Sequence, residues 1–124
     1  MALNGHDASD KTSQDQPPVT IGLFGLGRAG SIHLSNILAN RKVELKYIVE
    51  DDESKWESVI KSLNLKGITF LKSSEAETLY NDKDLEAVIV ATPTYSHEDF
   101  IAKSLQSGKA VFTESKLKLI FSRR

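Results

Sequence analysis

The sequence contains no cysteine and only three histidines among its 124 residues. It therefore has no disulfide framework and no thiolate centre, and we expect no metal site built by this chain. The N-terminus lacks the basic start and apolar run of a secretory signal, and no apolar stretch approaches bilayer length. Together these absences favour a cytoplasmic protein with no membrane partner.

An excess of charge of either sign is also missing, because sixteen Lys and Arg balance seventeen Asp and Glu. A chain without a basic field has little to hold a phosphate backbone, so nucleic acid is not an expected partner. Apolar residues make up 40% and charged residues 27%, which is ordinary globular usage. This length allows one domain and excludes a complete two-domain enzyme.

Composition changes sharply near residue 18. Residues 1–18 are almost all small, polar or charged and end in the Pro17-Pro18 pair. Such a segment buries too little surface to offset its ordering entropy, so we predict a disordered leader. The predicted domain follows over residues 19–114.

Strand and helix patterns alternate through that domain. We predict strands over 19–24, 43–49, 68–71, 87–91 and 110–113. Apolar residues at helical spacing predict helices over 29–38, 56–63 and 98–107, with a helical turn over 75–80. Strands that alternate with helices imply right-handed crossovers and a parallel sheet. We therefore predict a doubly wound α/β fold with strand order 3-2-1-4-5.

A glycine-rich loop with the pattern G-x-G-x-x-G joins the first strand to the first helix. Its residues are Gly25, Leu26, Gly27, Arg28, Ala29 and Gly30. In this pattern the first glycine makes a tight turn, the second lets a pyrophosphate approach the backbone, and the third lets the helix pack on the strand. A plain strand-to-helix connection is the alternative. The flanking apolar strand and amphipathic helix favour dinucleotide binding.

Acidic residues follow the second predicted strand, from Glu50 to Glu53. Asp51 lies 21 residues after Gly30, close to the spacing of about 20 expected for the carboxylate that binds the adenosine ribose. We prefer Asp51 for this role, with Glu50 as the alternative; the other acids suit a solvated turn and a helix cap. A 2′-phosphate would meet like charge here, so NAD is predicted and NADP is disfavoured.

Several stretches of the chain resemble the Gfo/Idh/MocA oxidoreductases, especially the inositol 2-dehydrogenase-like members. They are GRAGSIH over 27–33, DLEAVIVATPT over 84–94 followed by His97, and GKAVFTE over 108–114. The resemblance implies a Rossmann fold and the NAD-binding part of a dehydrogenase for a polyol or sugar-like alcohol. It also implies that Thr92 and Pro93 pass along the cofactor and that Glu114 lies near the nicotinamide ribose.

Each of these assignments has a structural alternative. Pro93 biases Thr92 toward an extended conformation, so this pair is equally well explained as a rigid turn. We also expect His97 to contact the cofactor; the alternative is that it caps a helix or makes a packing contact.

The resemblance ends after Glu114. The family continues with Lys-Pro, whose Lys is thought to assist the hydride step, whereas this chain has Ser115 and Lys116. Residues 115–124 are predicted to be a tail unrelated to the family, as in a truncated product. In the family a second domain supplies the substrate contacts and the catalytic Asp and His. We therefore predict no catalytic residue in this chain and nucleotide binding without independent catalysis.

Two other functions are consistent with the sequence. The chain could be a non-catalytic truncated isoform that docks on a full-length relative or on itself. Its partner strand would come from the apolar residues Leu117, Leu119, Ile120 and Phe121. An enzyme that uses S-adenosylmethionine could carry a similar glycine loop.

Overall fold

Strands and helices alternate along the chain in the computed structural model, which describes residues 16–63, 65, 67–113 and 118–120. The strands are β1 (Val19–Phe24), β2 (Val43–Val49), β3 (Thr69–Leu71), β4 (Ala87–Val90), β5 (Ala110–Thr113) and β6 (Lys118–Ile120). The helices are α1 (Arg28–Leu38), α2 (Glu53–Leu63), α3 (Glu77–Tyr80) and α4 (Thr94–Gln106), with a 3-10 turn over Ser73–Glu75. No helix in these ranges is both long and apolar enough to cross a membrane.

The strands form one sheet in the order β3-β2-β1-β4-β5-β6. The first five are parallel neighbours, which confirms the predicted α/β class and the order 3-2-1-4-5. β6 was not predicted as part of this sheet. It pairs antiparallel with β5, Val111 opposite Ile120 and Thr113 opposite Lys118. Residues 118–120 therefore supply backbone partners to the edge strand β5.

The sheet has a packed layer on each face. On one face Phe24, Val88 and Val90 are fully buried against side chains of α3 and α4. On the other face Leu23 and Ile48 are fully buried against side chains of α1 and α2. Strands buried on both sides are typical of parallel sheets. The two layers hold the carboxyl ends of β1, β2 and β4 together at one edge.

Two helices begin earlier than predicted. α4 begins at Thr94, not at residue 98, directly after Pro93, which is its N-cap residue and has the extended ψ of 153° typical of that position. The polar residues of its first turn carry no apolar period that sequence reading could detect. α2 begins at Glu53, directly after Asp52, whose carboxylate accepts hydrogen bonds from the Ser54 amide and hydroxyl. The predicted leader lies outside the described residues except for residues 16–18.

Candidate functional site

A cavity of about 530 Å³ lies where the carboxyl ends of β1, β2 and β4 meet. Ligands of open α/β sheets bind at this edge, where the strand order reverses. The predicted site residues that line the cavity are Gly25, Gly27, Arg28, Ala29, Asp51, Thr92 and Pro93. Glu50, the predicted alternative to Asp51, lines it too. One cavity thus collects residues from three separate parts of the sequence.

The three glycines of the loop occupy different environments. Gly25 has φ +101°, and a Cβ on it would lie 2.8 Å from the Ala91 carbonyl oxygen. A Cβ on Gly30 would lie 2.0 Å from the Gly25 carbonyl oxygen, so α1 packs directly on the turn. A Cβ on Gly27 would meet no atom of residues 16–63, 65, 67–113 or 118–120 within 4 Å. Gly25 and Gly30 are therefore required by the fold, whereas the missing side chain of Gly27 leaves open space beside the backbone.

Helix α1 begins beside this open space. Gly27 is its N-cap residue and supplies no side-chain cap, and its first turn contains no acidic residue. The amide dipoles at this end therefore keep their partial positive charge, which favours an anionic group. Arg28 and Ala29, the first two residues of the helix, also line the cavity.

Glu50 extends from the end of β2 toward the glycine loop. Its carboxylate accepts one hydrogen bond from the Leu26 amide at 2.8 Å and another from the Asp52 amide at 2.9 Å. Its backbone carbonyl accepts a hydrogen bond from the Trp56 indole at 2.8 Å. Glu50 is thus fixed to the glycine loop by its side chain and to α2 by its backbone carbonyl. Leu26 is buried, and it contributes its backbone amide to the contact with Glu50.

Asp51 is held from the opposite side, by the segment that follows β3. The Ser73 amide donates to one Asp51 carboxylate oxygen at 2.7 Å, and the Ser73 hydroxyl lies 2.6 and 2.7 Å from the two oxygens. These bonds hold the pKa of Asp51 below its usual value. Ser73 lines the cavity as well. Sequence analysis missed Ser73 because nothing in the pattern distinguishes a serine after a short strand.

The residues after β4 form the third wall. The Thr92 hydroxyl oxygen is buried and has no hydrogen-bond partner within the described part of the chain. His97 does not line the cavity; its Nδ1 lies 3.1 Å from the Thr92 carbonyl oxygen. His97 therefore contacts the backbone that carries Thr92. Gly30 acts through packing, and Glu114 lies outside the described residues.

A second polar cluster lies near the opposite, amino end of the sheet, around Asp82. The Asp82 carboxylate is 2.6 Å from the Lys46 amine and accepts a hydrogen bond from the Tyr47 hydroxyl at 2.7 Å. These two contacts lower the pKa of Asp82 to about 2. The buried Lys109 amine donates to the Asp82 backbone carbonyl at 2.8 Å. Each polar group of this cluster has a partner inside the protein.

Comparison with known proteins agrees with this geometry. Residues 19–115 match the model of the GFO_IDH_MocA oxidoreductase family, described as an NAD-binding Rossmann fold. The chain is 32% identical over 102 residues to scyllo-inositol 2-dehydrogenase (NAD(+)) of Bacillus subtilis, covering 82% of this chain and 29% of the relative. It is 28% identical over 101 residues to inositol 2-dehydrogenase of Rhizobium meliloti, with the same coverage.

A solved structure shows the same likeness. Scyllo-inositol dehydrogenase from Lactobacillus casei, with bound NAD(H) and scyllo-inositol, superposes with a TM-score of 0.66 at 27% identity. The match covers 79% of this chain and 28% of that one. The chain thus spans less than a third of the length of these relatives.

Proposed function

The chain belongs to the Gfo/Idh/MocA oxidoreductase family, whose NAD-binding Rossmann domain it contains, and from this premise we propose that it binds NAD at the carboxyl edge of its sheet. We propose further that it is the nucleotide-binding part of a dehydrogenase for a polyol or sugar-like alcohol. The observation that carries the proposal is the open space beside the Gly27 backbone at the N-terminus of α1. NAD would supply a hydride acceptor; the residues of this chain would bind and orient it.

The pyrophosphate is assigned to the glycine loop. Gly27 leaves room for it, and the uncapped first turn of α1 offers it amide donors at Arg28 and Ala29. Gly25 and Gly30 act indirectly, since they set the turn and the packing that expose Gly27. The N-H groups at this helix end would be satisfied by the ligand.

The adenosine ribose is assigned to the acids at the end of β2. Spacing along the sequence favoured Asp51, whereas the contact of the Glu50 carboxylate with the Leu26 amide favours Glu50. We assign the ribose hydroxyls to Glu50 and keep Asp51 in the same wall, where its charge faces the ribose region. Both acids support a preference for NAD over NADP, because they would repel a 2′-phosphate. Arg28 and Lys55 line the same cavity and would offset part of this repulsion.

Thr92 and Pro93 are assigned to the part of the cofactor that crosses β4. The Thr92 hydroxyl, which has no partner among the described residues, offers a donor there. His97 supports this wall through the Thr92 carbonyl. The assignment of Glu114 near the nicotinamide ribose rests on the family resemblance.

Catalysis by these 124 residues is not part of the proposal. The Lys-Pro pair that the family places after β5 is Ser115-Lys116 here, so the lysine stands one position late and without the proline that would fix its turn. We propose that the purified chain binds NAD and does not oxidise myo-inositol or hexoses by itself. Cofactor-dependent turnover above a protein-free blank, lost in Gly27→Val, would contradict this point.

The binding proposal is tested by calorimetric titration with NAD. Gly27→Val places a branched side chain in the open space, and we expect binding roughly 100-fold weaker, about 2.8 kcal/mol. The control is Ser35→Val, on the exposed side of the same helix, which should bind as the unmodified chain does. Equal titrations of the Gly27→Val and unmodified chains would reject the assignment. A rise in Tm with S-adenosylmethionine and none with NAD would favour the alternative of an enzyme that uses S-adenosylmethionine.

A further inference from the structure

Ser73 and Asp51 make a paired contact in the wall of the cavity. We propose that Ser73 is a positioning residue for cofactor specificity: its hydroxyl fixes the Asp51 carboxylate in the wall, where the charge disfavours a dinucleotide carrying a 2′-phosphate. This inference rests on the proposed binding of NAD and assigns a task to a residue outside the glycine loop and its acidic partner.

The first argument is geometric. The Ser73 hydroxyl lies 2.6 and 2.7 Å from the two carboxylate oxygens of Asp51, and the Ser73 amide adds a third contact at 2.7 Å. Hydrogen bonds to an ionised acceptor are stronger than neutral ones. The contact joins the end of β2 to the turn after β3, and both residues line the cavity. Asp51 is therefore restrained by an element outside its own loop.

The second argument concerns charge. A serine restrains the carboxylate without neutralising it, whereas the neighbouring Glu53 is paired with the Lys72 amine at 2.7 Å. The hydrogen bonds from Ser73 favour the charged form of Asp51 and lower its pKa, and the charge of Lys72 lowers it a little further. The direct ion pair of Lys72 is with Glu53, not with Asp51. Asp51 keeps its negative charge at the cavity wall.

The third argument separates Asp51 from Glu50. The Glu50 carboxylate accepts hydrogen bonds from the backbone amides of Leu26 and Asp52. Its position does not depend on Ser73. Loss of the Ser73 hydroxyl is therefore expected to release Asp51 and leave Glu50 in place. Discrimination between the two dinucleotides should change while binding of NAD itself is preserved.

The chain provides a matched control in Ser54. Its hydroxyl contacts the Asp52 carboxylate at 2.6 Å and its amide contacts the same oxygen at 3.0 Å. This pair has the same chemistry as Ser73 and Asp51, but neither residue lines the cavity. A general effect of removing a serine that binds an aspartate would appear in both variants.

The test compares the dissociation constants of NADH and NADPH. The single tryptophan, Trp56, donates to the Glu50 carbonyl, so energy transfer from it to the bound reduced cofactor reports binding without any turnover. We expect the unmodified chain to prefer NADH. Ser73→Ala should reduce that preference roughly fivefold while the NADH constant stays within about twofold. Ser73→Thr keeps a hydroxyl and should retain the preference, as should Ser54→Ala.

Asp51→Asn removes the charge directly and should reduce the preference at least as far as Ser73→Ala. If Ser73→Ala does not fold, Asp51→Asn still tests whether the Asp51 charge sets the preference. A preference unchanged within about twofold in folded Ser73→Ala would overturn the inference whatever Asp51→Asn shows, with NADH binding and the proposed function intact. Equal weakening of both dinucleotides in Ser73→Ala, or no preference in the unmodified chain, would overturn it too. Failure of the unmodified chain to bind NADH would instead reject the proposed function and this inference with it.

Discussion

The two ends of the sheet differ in whether all of their polar groups have partners within the protein. At the amino end, the Asp82 carboxylate, the Lys46 amine and the Tyr47 hydroxyl satisfy one another. At the carboxyl end, the backbone beside Gly27 faces open space and the Thr92 hydroxyl has no partner in the described part of the chain. Glu50 and Asp51 at the carboxyl end also have partners, but the Gly27 backbone and the Thr92 hydroxyl leave capacity there that a ligand can use. The contrast indicates which end binds and which end supports.

Within the glycine loop, Gly30 is closely packed and Gly27 is open. A side chain added at Gly30 should have the largest effect on the free energy of unfolding. A Cβ on Gly30 would overlap the Gly25 carbonyl oxygen, whereas one on Gly27 meets nothing. We expect Gly30→Ala to lower the free energy of unfolding by about 3 kcal/mol and Gly27→Ala to lower it by less than about 1 kcal/mol. Urea unfolding measures both. Equal losses would show that the loop is purely structural.

The amino-end cluster should contribute stability that depends on pH. The pKa of Asp82 is about 2 in the folded chain, below the value of about 3.9 in an unfolded chain. The stabilisation is therefore complete above about pH 4 and is lost as the pH falls toward 2. We expect Asp82→Asn to lower the free energy of unfolding by about 1–2 kcal/mol at neutral pH. Near pH 2 the same substitution should change it very little.

An exposed carboxylate provides the control for that experiment. Asp99 pairs with Lys103 at 3.5 Å one helical turn away, and both side chains are about half or more exposed. Asp99→Asn should change stability by no more than about 0.5 kcal/mol. If Asp99→Asn lowered the free energy of unfolding as much as Asp82→Asn does, the Asp82 cluster would contribute no more than an exposed ion pair.

The smallest expected effect on stability concerns Thr92. Its buried hydroxyl has no partner within the described residues, so Thr92→Val should leave the free energy of unfolding unchanged or raise it by up to about 1 kcal/mol. NAD binding should weaken roughly fivefold to tenfold, because a donor assigned to the cofactor is lost. Thermal unfolding and calorimetry on the same samples separate the two effects. If Thr92→Val lost stability and still bound NAD as the unmodified chain does, this hydroxyl would stabilise the fold and would not contact the cofactor.

Sequence patterns predicted the parallel sheet because strand and helix patterns alternate along the chain, and the order 3-2-1-4-5 is usual for a fold with this glycine loop. The glycine loop was equally visible, since a fixed spacing follows from the turn and the close packing at Gly25 and Gly30. The early start of α4 at Thr94 was not visible, because the first turn carries no apolar period. Pairing of β6 with β5 was also missed, since a short segment does not reveal its neighbour.

The orientation of the acids could not be predicted either. Spacing identified the region after β2, but Glu50 and Asp51 are consecutive residues and both fit that spacing. Their side chains are directed by contacts distant in sequence: the Leu26 amide for Glu50 and Ser73 for Asp51. Such contacts depend on how β1, β2 and β3 align in the sheet. Three-dimensional placement was therefore needed to find Ser73.

The most direct test of the contrast between the two ends is an amide NMR titration of the isotopically labelled chain with NAD. We predict that the amide signals of Gly25 to Ala29, Glu50, Asp51 and Thr92 shift with a common dissociation constant, while those of Lys46, Asp82 and Lys109 stay unchanged. Shifts centred on the Asp82 cluster, or no shifts at saturating NAD, would contradict the assignment of the carboxyl end as the cofactor site.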